Sequence, residues 1–538
     1  MQTRRLDHLG LVASEYDELE IAQTINQLVP KEGPRTLIDH GRIVKAMVLN
    51  GLGFVSQPLY LVPEFFESKP VELLLGDDVS AEMLNDDTLG RSLDALSDCG
   101  VTEAFAAVAT RAVKKLGIEA VRGHCDNTSL HVHGDYKVCE SEDYHSVKLA
   151  RGYSRDHRPD LKQVGLALIT EHRSRIPILM KPLNGNSNDG PEFGKLVQEH
   201  IRNLNPTVEL ETLIADCALF TKSNLDLLNE SGLRFVTRVP RTFKFVEELV
   251  ERAMDCNEPL DLTDGHQGYE EMLEVNGHKI RALAVRSKEF LDSDRKSVTK
   301  SLLKNSNREL KALKGLRAMR FACEEDAQEA LDSFRNSNPS LELHGIFVDG
   351  EPTYSKRGRP ANDECPDDFK FFIRARPAMS LNTYGSNLEK RGWFVLATNH
   401  LESPEFSASA ILSLYREQWI AESGFRFLKS PEFMTSSLYL KSPKRIEALL
   451  MVMTLCLLVY AALEYRIRKT LKEKGQTFPD QKGKPTPKPT ARWVFHAFSG
   501  IDLLLMESKR IILNLKDRHT ALLSVLGPPY EKYYFRET

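Results

Sequence analysis

Paired cysteines are the first thing this sequence lacks. Its eight cysteines, Cys99, Cys125, Cys139, Cys217, Cys256, Cys323, Cys365 and Cys456, are scattered over 538 residues with no C-x-x-C spacing. That scatter argues against a disulfide scaffold and for reduced thiols in a cytoplasm. A basic excess is missing too. The formal net charge is -4, so any surface for a polyanion has to be a local patch. Nor is there an apolar run of bilayer length. Residues 448–463, ALLMVMTLCLLVYAAL, lie between Glu447 and Glu464 and fall short of the ~20 residues that span a membrane. They read as a buried helix, with no membrane as partner. The N-terminus, MQTRR, turns polar and acidic within a few residues and lacks the apolar core of a signal peptide, so secretion is not expected.

What is present suffices for several cores: 41% of the residues are hydrophobic and 28% charged, which suggests three or four domains. Residues 1–117 read as a helical N-terminal domain, with Ile43, Val44, Met47 and Val48 at three-to-four spacing. Within it, residues 81–84, a polar break at Asn85, Asp86 and Asp87, and residues 88–96 fit either a loose helix-turn-helix that binds DNA ends or an ordinary bundle. After Gly117 strands are expected at 120–130, 163–170 and 176–180, then helix 192–204, strand 209–215, helix 221–229 and strand 233–239. This order suits an α/β fold with an RNase H-like core. The core would occupy 118–240 and 392–470, interrupted by a large α+β insertion at 241–391 and followed by a mainly helical C-terminal region, 471–538. Residues 472–490 are rich in Lys and Pro and read as an exposed loop.

Three acids stand out. Phosphodiester chemistry with two metal ions needs carboxylates that converge on sites ~4 Å apart. Asp126 falls inside the first expected strand, where a buried, unpaired carboxylate is costly and a cation would relieve the cost. Asp216 ends a strand. There it serves equally well as a helix N-cap or a metal ligand. Glu422 belongs to YREQWIAESGFRFLK, residues 415–429, read as one helix. At ~100° per residue, Tyr415, Gln418, Glu422 and Lys429 share a face, with Trp419 and Arg426 close by. An acid among aromatic, amide and basic groups suits metal plus phosphate. A solvated face with a Glu422/Arg426 pair explains the same pattern.

The spacing of Tyr415, Glu422 and Lys429 resembles the Y-(2)-R-(3)-E-(6)-K signature of DDE transposases of the insertion-sequence-four superfamily, with Gln418 where that signature has Arg. The segments GYSRDHRPDLKQ at 152–163, GNSND at 185–189 and ATN at 397–399 look like its sixteen-thirty-four subgroup. The resemblance implies an RNase H-like core with an insertion between the second Asp and the Glu. It also implies Asp126, Asp216 and Glu422 as catalytic, metal-binding residues for Mg²⁺ or Mn²⁺. The activity implied is cleavage at insertion-sequence ends followed by strand transfer, commonly through a DNA hairpin. The partners implied are double-stranded DNA, as terminal inverted repeats and target, and a second copy in a synaptic homodimer. The setting implied is a bacterial cytoplasm, at the nucleoid. Mg²⁺ prefers oxygen ligands and keeps its waters, which suits two Asp and one Glu. Lys429 would contact phosphate, and Arg426 or Arg416 would compensate for Gln418. Tyr415 and Trp419 offer flat surfaces to a displaced base, although aromatics on a helix are more often core. Two competing readings are a catalytically silent, transposase-derived DNA-binding protein and a non-mobile RNase H-like nuclease.

Other signals carry two readings each. His124, Cys125, His131, His133 and Cys139 crowd Asp126 and hint at zinc, but in no standard finger spacing. Strand alternation puts His124, Asp126 and Thr128 on one face and Cys125 on the other, in the core. Lys300, Lys304, Arg308, Lys311, Lys314, Arg317 and Arg320 fit a DNA-backbone patch or a solvated face. The cluster KRGRP at 356–360 fits minor-groove contact or an exposed loop.

Overall fold

In the computed structural model the described residues are 2–30, 37–54, 58–132, 146–153, 158–187, 189–196, 199, 210–355, 365–402, 406–430, 440, 442–506 and 509–535. His133, Cys139, the cluster at 356–360 and most of the segment 197–209 lie outside them.

The chain opens with β1 (Gln2–Arg5), a strand ahead of the helical part. Nine further strands form one mixed sheet. They are β2 (Arg122–Val132), β3 (Lys162–Glu171), β4 (Pro177–Leu183), β5 (Thr212–Ala215), β6 (Arg234–Arg238), β7 (Leu260–Asp261), β8 (Gln267–Val275) and β9 (His278–Arg286), and, after the hairpin of β10 (Leu341–Thr353) and β11 (Asp368–Met379), β12 (Trp393–Thr398). Their order across the sheet is β4-β3-β2-β5-β6-β12-β9-β8-β7. β2, β3 and β4 form an antiparallel meander, and β5 and β6 run parallel to β2 on its other side. β12 then reverses direction against β6. The expected succession of three strands, helix, strand, helix and strand is present with ends shifted by a few residues, the second part of the expected helix 192–204 lying outside the described residues.

Central strands are recognisable by continuous burial. Every residue of β5 and of β12 is buried, as strands covered on both faces require. One face packs on Phe193, Leu225, Leu228 and Leu249 from the helices Asp189–Leu196, Lys222–Glu230 and Lys244–Asp255. On the other, Ile214, Val236 and Leu396 meet Ile411, Leu412 and Leu414 of the helix Ala408–Arg416.

The interval 241–391 does not form one insertion body. β9 buries Ile280, Ala282 and Ala284 in one core and Leu283 and Val285 in the other. A strand that buries side chains on both faces belongs inside a sheet, and β7 to β9 accordingly extend the central one. The rest of the interval builds a small separate core of Leu313, Leu316, Leu331, Phe334, Ile373 and Ala375. It is contributed by the helices Lys288–Ala318 and Glu324–Ser337 and by the β10–β11 hairpin.

The helices of the N-terminal part share one core with the long helix Pro443–Glu473 and with Tyr530 and Tyr534 near the C-terminus. The short pair β13 (Phe478–Pro479) and β14 (Pro485–Thr486) lies in the Lys/Pro-rich stretch. β1 pairs with β15 (Asp502–Met506), which pairs with β16 (Lys509–Leu513). The segments 1–117 and 471–538 therefore pack together. Glu15, fully buried, is held by Arg466 at 2.9 Å and by the Tyr530 hydroxyl. The helix Pro443–Glu473 is long and apolar enough to cross a membrane, but 89% of its apolar window is buried inside the protein. Of the two readings at 81–96, the ordinary bundle is the one observed. Ala81–Leu84 is a single 3₁₀ turn, and Asp86–Cys99, capped by Asn85, buries Leu89, Leu93 and Leu96.

Candidate functional site

Register places the first two acids. β2 lies parallel to β5 with Cys125 opposite Ala215, and β5 parallel to β6 with Ala215 opposite Thr237. One residue further along come Asp126 in β2, Asp216 just past the end of β5 and Arg238 at the end of β6. Alternation turns all three toward the face that carries Ile214 and Val236. Asp126 Oδ1 accepts from Asn127 N at 2.7 Å. Asp216 Oδ1 accepts from Ala218 N at 3.0 Å and caps the 3₁₀ turn Cys217–Leu219, so it does act as an N-cap. Residues Asp126 and Asp216 also border one cavity of about 10 Å³ with Cys125, Asn127, Phe193, Ala215, Ala218 and Leu219, a space on the scale of a single water. Thr237 Oγ1 donates to Asp216 O at 2.6 Å and holds the strand end.

Residues 415–429 are not one helix. Ala408–Arg416 ends, and Trp419–Leu428 begins after Glu417 and Gln418. The joint is built from tight i to i+3 bonds, Gln418 N to Tyr415 O at 3.1 Å and Ala421 N to Gln418 O at 3.1 Å. Tyr415 and Glu422 therefore do not keep the angular relation of a continuous helix, and Gln418 sits at the N-cap. Contacts on both sides of the joint account for the break. Glu417 pairs with His172 at 3.1 Å, and Arg175 stacks over the Trp419 ring at 4.5 Å.

Tyr415 turns toward the sheet, 6.4 Å from the Phe394 ring. Burial pushes its phenol up to about 12, with Arg238 and Asp216 as charged neighbours. Arg416 is committed to an ion pair with Asp264 and does not stand in for a charge at position 418. In the second helix Ile420, Ala421, Gly424, Phe425 and Leu428 are buried, whereas Glu422 and Arg426 are exposed. No ion pair joins Glu422 to Arg426. Phe425 and Leu428 enter the same core as Leu130, a residue on the Asp126 face of β2. The Glu422 helix thus lies over that face. Lys429 is the C-cap residue of this helix.

The three acids are not drawn into one cluster: among the described residues no group of three His, Cys, Asp or Glu is placed to hold a metal ion. Asp126 and Asp216 border one cavity, and Glu422 stays exposed. Mutual repulsion among three carboxylates opposes their close approach. Carboxylate oxygens are the donors that Asp126 and Asp216 offer, and these suit a hard cation such as Mg²⁺. The zinc reading fails at the residues described. His124 Nε2 is spent on His172 Nδ1 at 2.9 Å, and Cys125 belongs to the core on the opposite face.

Sequence reasoning missed two features. One is Arg238, whose place beside Asp216 becomes visible only with the strand register. The other is the chain from His124 through His172 to Glu417. Burial holds His124 down to about 3 and lowers His172 too, so both rings are neutral and the chain acts as a hydrogen-bonded strut. It links β2 to the joint ahead of Glu422. The glycine- and asparagine-containing segments turn out to be supports. Gln163 Nε2 donates to Gly185 O at 2.8 Å and to Tyr153 O at 3.1 Å. Asn399 accepts from Phe235 N at 2.9 Å and donates to Leu233 O at 3.0 Å.

Residues 125–459 match the family described as "Transposase DDE domain", which is more than half of the 538-residue chain. Residues 1–110 match a "Domain of unknown function (DUF4277)". Among solved structures, the chain is similar to one described as a cryo-EM structure of a piggyBac transposase synaptic complex with hairpin DNA. The identity is 11% and the TM-score 0.39, over 93% of this chain and 83% of that one. No curated protein matches.

Proposed function

This chain belongs to the Transposase DDE domain family, and on that premise we propose that it cuts DNA at the ends of an insertion sequence and joins those ends to target DNA. One observation carries the reading: Asp126 and Asp216 each directly follow the last paired residues of two parallel strands, Cys125 and Ala215, and border one cavity. The strand order β4-β3-β2-β5-β6 supports an RNase H-like core, in which the first and fourth strands of the core carry these two acids. Glu422, on the helix over the same face of β2, is the third carboxylate of the proposed set. A divalent metal, Mg²⁺ or Mn²⁺, would supply activation of the attacking oxygen and neutralisation of the leaving one. Asp126 and Asp216 would hold it.

The chain's own residues do the positioning. Arg238 presents a fixed cation beside the acid pair, and Tyr415, neutral because its phenol is raised to about 12, buttresses it. Arg426 and Lys429 flank Glu422 on the exposed side of its helix and would meet the phosphate backbone. We assign the chain to the sixteen-thirty-four-like group of the insertion-sequence-four superfamily, with a synaptic homodimer acting on two element ends at the nucleoid of a bacterial cytoplasm.

The test is cleavage of a duplex carrying the inverted repeats that flank the coding region, with and without Mg²⁺, by the wild type and by Asp126→Ala and Asp216→Ala variants. Metal-dependent nicking by the wild type alone is the expected result, and equal cleavage by all three would reject the assignment. Denaturing gels of the products show whether the ends close as hairpins. The separation of Glu422 from the acid pair favours one second reading, a DNA-binding protein without cleavage. Tight repeat binding with no metal-dependent product would establish it.

A further inference from the structure

We propose that the outward face of the helix Lys288–Ala318 is a sequence-independent binding surface for the phosphate backbone of duplex DNA. The proposal rests on the function put forward above and says where DNA outside the cleavage point would lie.

The helix has two opposite faces. Val298, Leu302, Ser306, Glu309, Leu313 and Leu316 are buried. At ~100° per residue, Lys296, Lys300, Lys304, Lys311 and Lys314 fall within ~40° of a single line on the side away from that stripe. All five are exposed. The line is ~27 Å long at ~1.5 Å per residue, approaching the ~34 Å of one duplex turn. At its start Arg295, Lys296, Thr299, Lys300 and Leu303 line a groove of about 400 Å³.

Any surface helix turns polar residues outward, but such faces ordinarily mix both signs. This one does not. Between residues 295 and 320 the sole acid is Glu309, which is 1% exposed and on the core side. None of the five lysines has a carboxylate partner among the described residues. The other acids of this small body lie on the next helix, as Glu324, Glu325, Asp326, Glu329 and Asp332, on the β10–β11 hairpin, as Glu342, Asp349, Glu351 and Asp368, and in the first two turns of the helix itself, as Glu289, Asp292 and Asp294. In a chain of net charge -4, such segregation leaves an unneutralised cationic line that fits a regularly spaced polyanion. Lysine ammonium groups act as point charges without the fork that reads base edges, so the recognition is of backbone and not of sequence.

Binding of the full chain to a random-sequence duplex, read by fluorescence anisotropy over a salt series, tests this. The stripe variant carries Lys300→Ala, Lys304→Ala, Lys311→Ala and Lys314→Ala. A charge-matched control carries Lys472→Ala, Lys482→Ala, Lys484→Ala and Lys488→Ala. Loss of four phosphate contacts lowers the slope of log affinity against log salt by ~3.6. Between about 50 and 200 mM salt the wild type then loses roughly a hundredfold more affinity than the stripe variant. The control keeps most of the wild-type slope. Alanine favours helix at exposed positions, and a Lys→Gln set at the same positions repeats the measurement if the alanine set is poorly folded. An unchanged slope in a folded stripe variant overturns the proposal, and so does a change in self-association without a change in DNA binding, which would make the face a protein interface. If the wild type still cleaves the terminal-repeat duplex in either case, the surface alone falls. If it neither binds nor cleaves DNA, the functional reading falls as well.

Discussion

Glu447 allows an electrostatic prediction with a clear sign. It lies near the start of the helix Pro443–Glu473, 9% exposed, and its Oε1 accepts from Val147 N at 2.6 Å. Burial is the largest influence and raises its carboxyl from 4.5 to about 7, against the opposing pull of Val147 N, Ser97 and Lys444. Because the folded pKa is raised, the folded state holds more protons than the unfolded chain between 4.5 and about 7. The contribution to stability is therefore fully present below 4.5 and is lost as pH rises through about 7. At ~1.4 kcal/mol per pH unit the gap amounts to ~3 kcal/mol. Glu447→Gln keeps an oxygen for Val147 N and cannot ionise. Urea denaturation followed by circular dichroism should give nearly equal stabilities for variant and wild type near pH 4.5. At about pH 8 the variant should be more stable by up to ~3 kcal/mol. Other titrating groups cancel in the difference between the two proteins. A difference that does not change with pH would refute the reasoning, because it would mean that the carboxyl is solvated or ionised throughout.

Three further perturbations separate chemistry from support. Arg238→Ala should reduce repeat cleavage roughly ten- to hundredfold, the value of ~1.5–3 kcal/mol for a charge-assisted contact. Duplex binding should hardly change, so a loss confined to binding would count against a place beside the acid pair. Gly185→Ala would drive a Cβ into the carbonyl oxygens of Gln163 and Ala150 and should cost at least ~1–3 kcal/mol in urea denaturation. Trp419→Ala removes a ring that is 43% exposed and stacked by Arg175, worth only ~0.5–1 kcal/mol of stability. A cleavage defect far larger than that small loss would assign the ring to a displaced base, and its absence would leave Trp419 as a brace for the joint.

What the sequence disclosed depended on whether the signal was local. Most of the strands from β2 to β6 are apolar runs between polar turns, and their succession along the chain follows from that pattern. β9 is buried continuously only from Ala282 to Val285, and within it His278, Lys279 and Arg281 break up the apolar run. Its place in the central sheet is fixed only by pairing with β12. The break at Glu417 and Gln418 has no Pro or Gly to announce it. It is set by a partner on another strand-end turn, His172, which helical periodicity does not register. Asp126 and Asp216 were legible as candidates, whereas their adjacency is a fact of register. Arg238 was invisible for the same reason.

That register also bears on the residue where the transposase signature has arginine and this chain has Gln418. Two carboxylates side by side repel a phosphodiester as well as each other, so a cation close by is an electrostatic requirement wherever it comes from. Neighbouring strands are ~4.8 Å apart. Arg238, on the strand next to that of Asp216, therefore lies one strand spacing from Asp216 and two from Asp126. At the shorter separation an effective dielectric near 20 gives an interaction of ~3 kcal/mol. Arg416 is tied to Asp264 and is turned away from this task. Arg238 is held in place by the Phe394 ring, 5.6 Å away, and by Tyr415. On this argument the chain keeps the charge balance of its proposed site by drawing it from the sheet in place of the helix, and Gln418, at a helix cap, is released to shape the joint. Gln418→Arg should then leave cleavage within about twofold of wild type, well below the factor expected for gain of a charge-assisted contact. A tenfold rise would show that the helix position still governs the site.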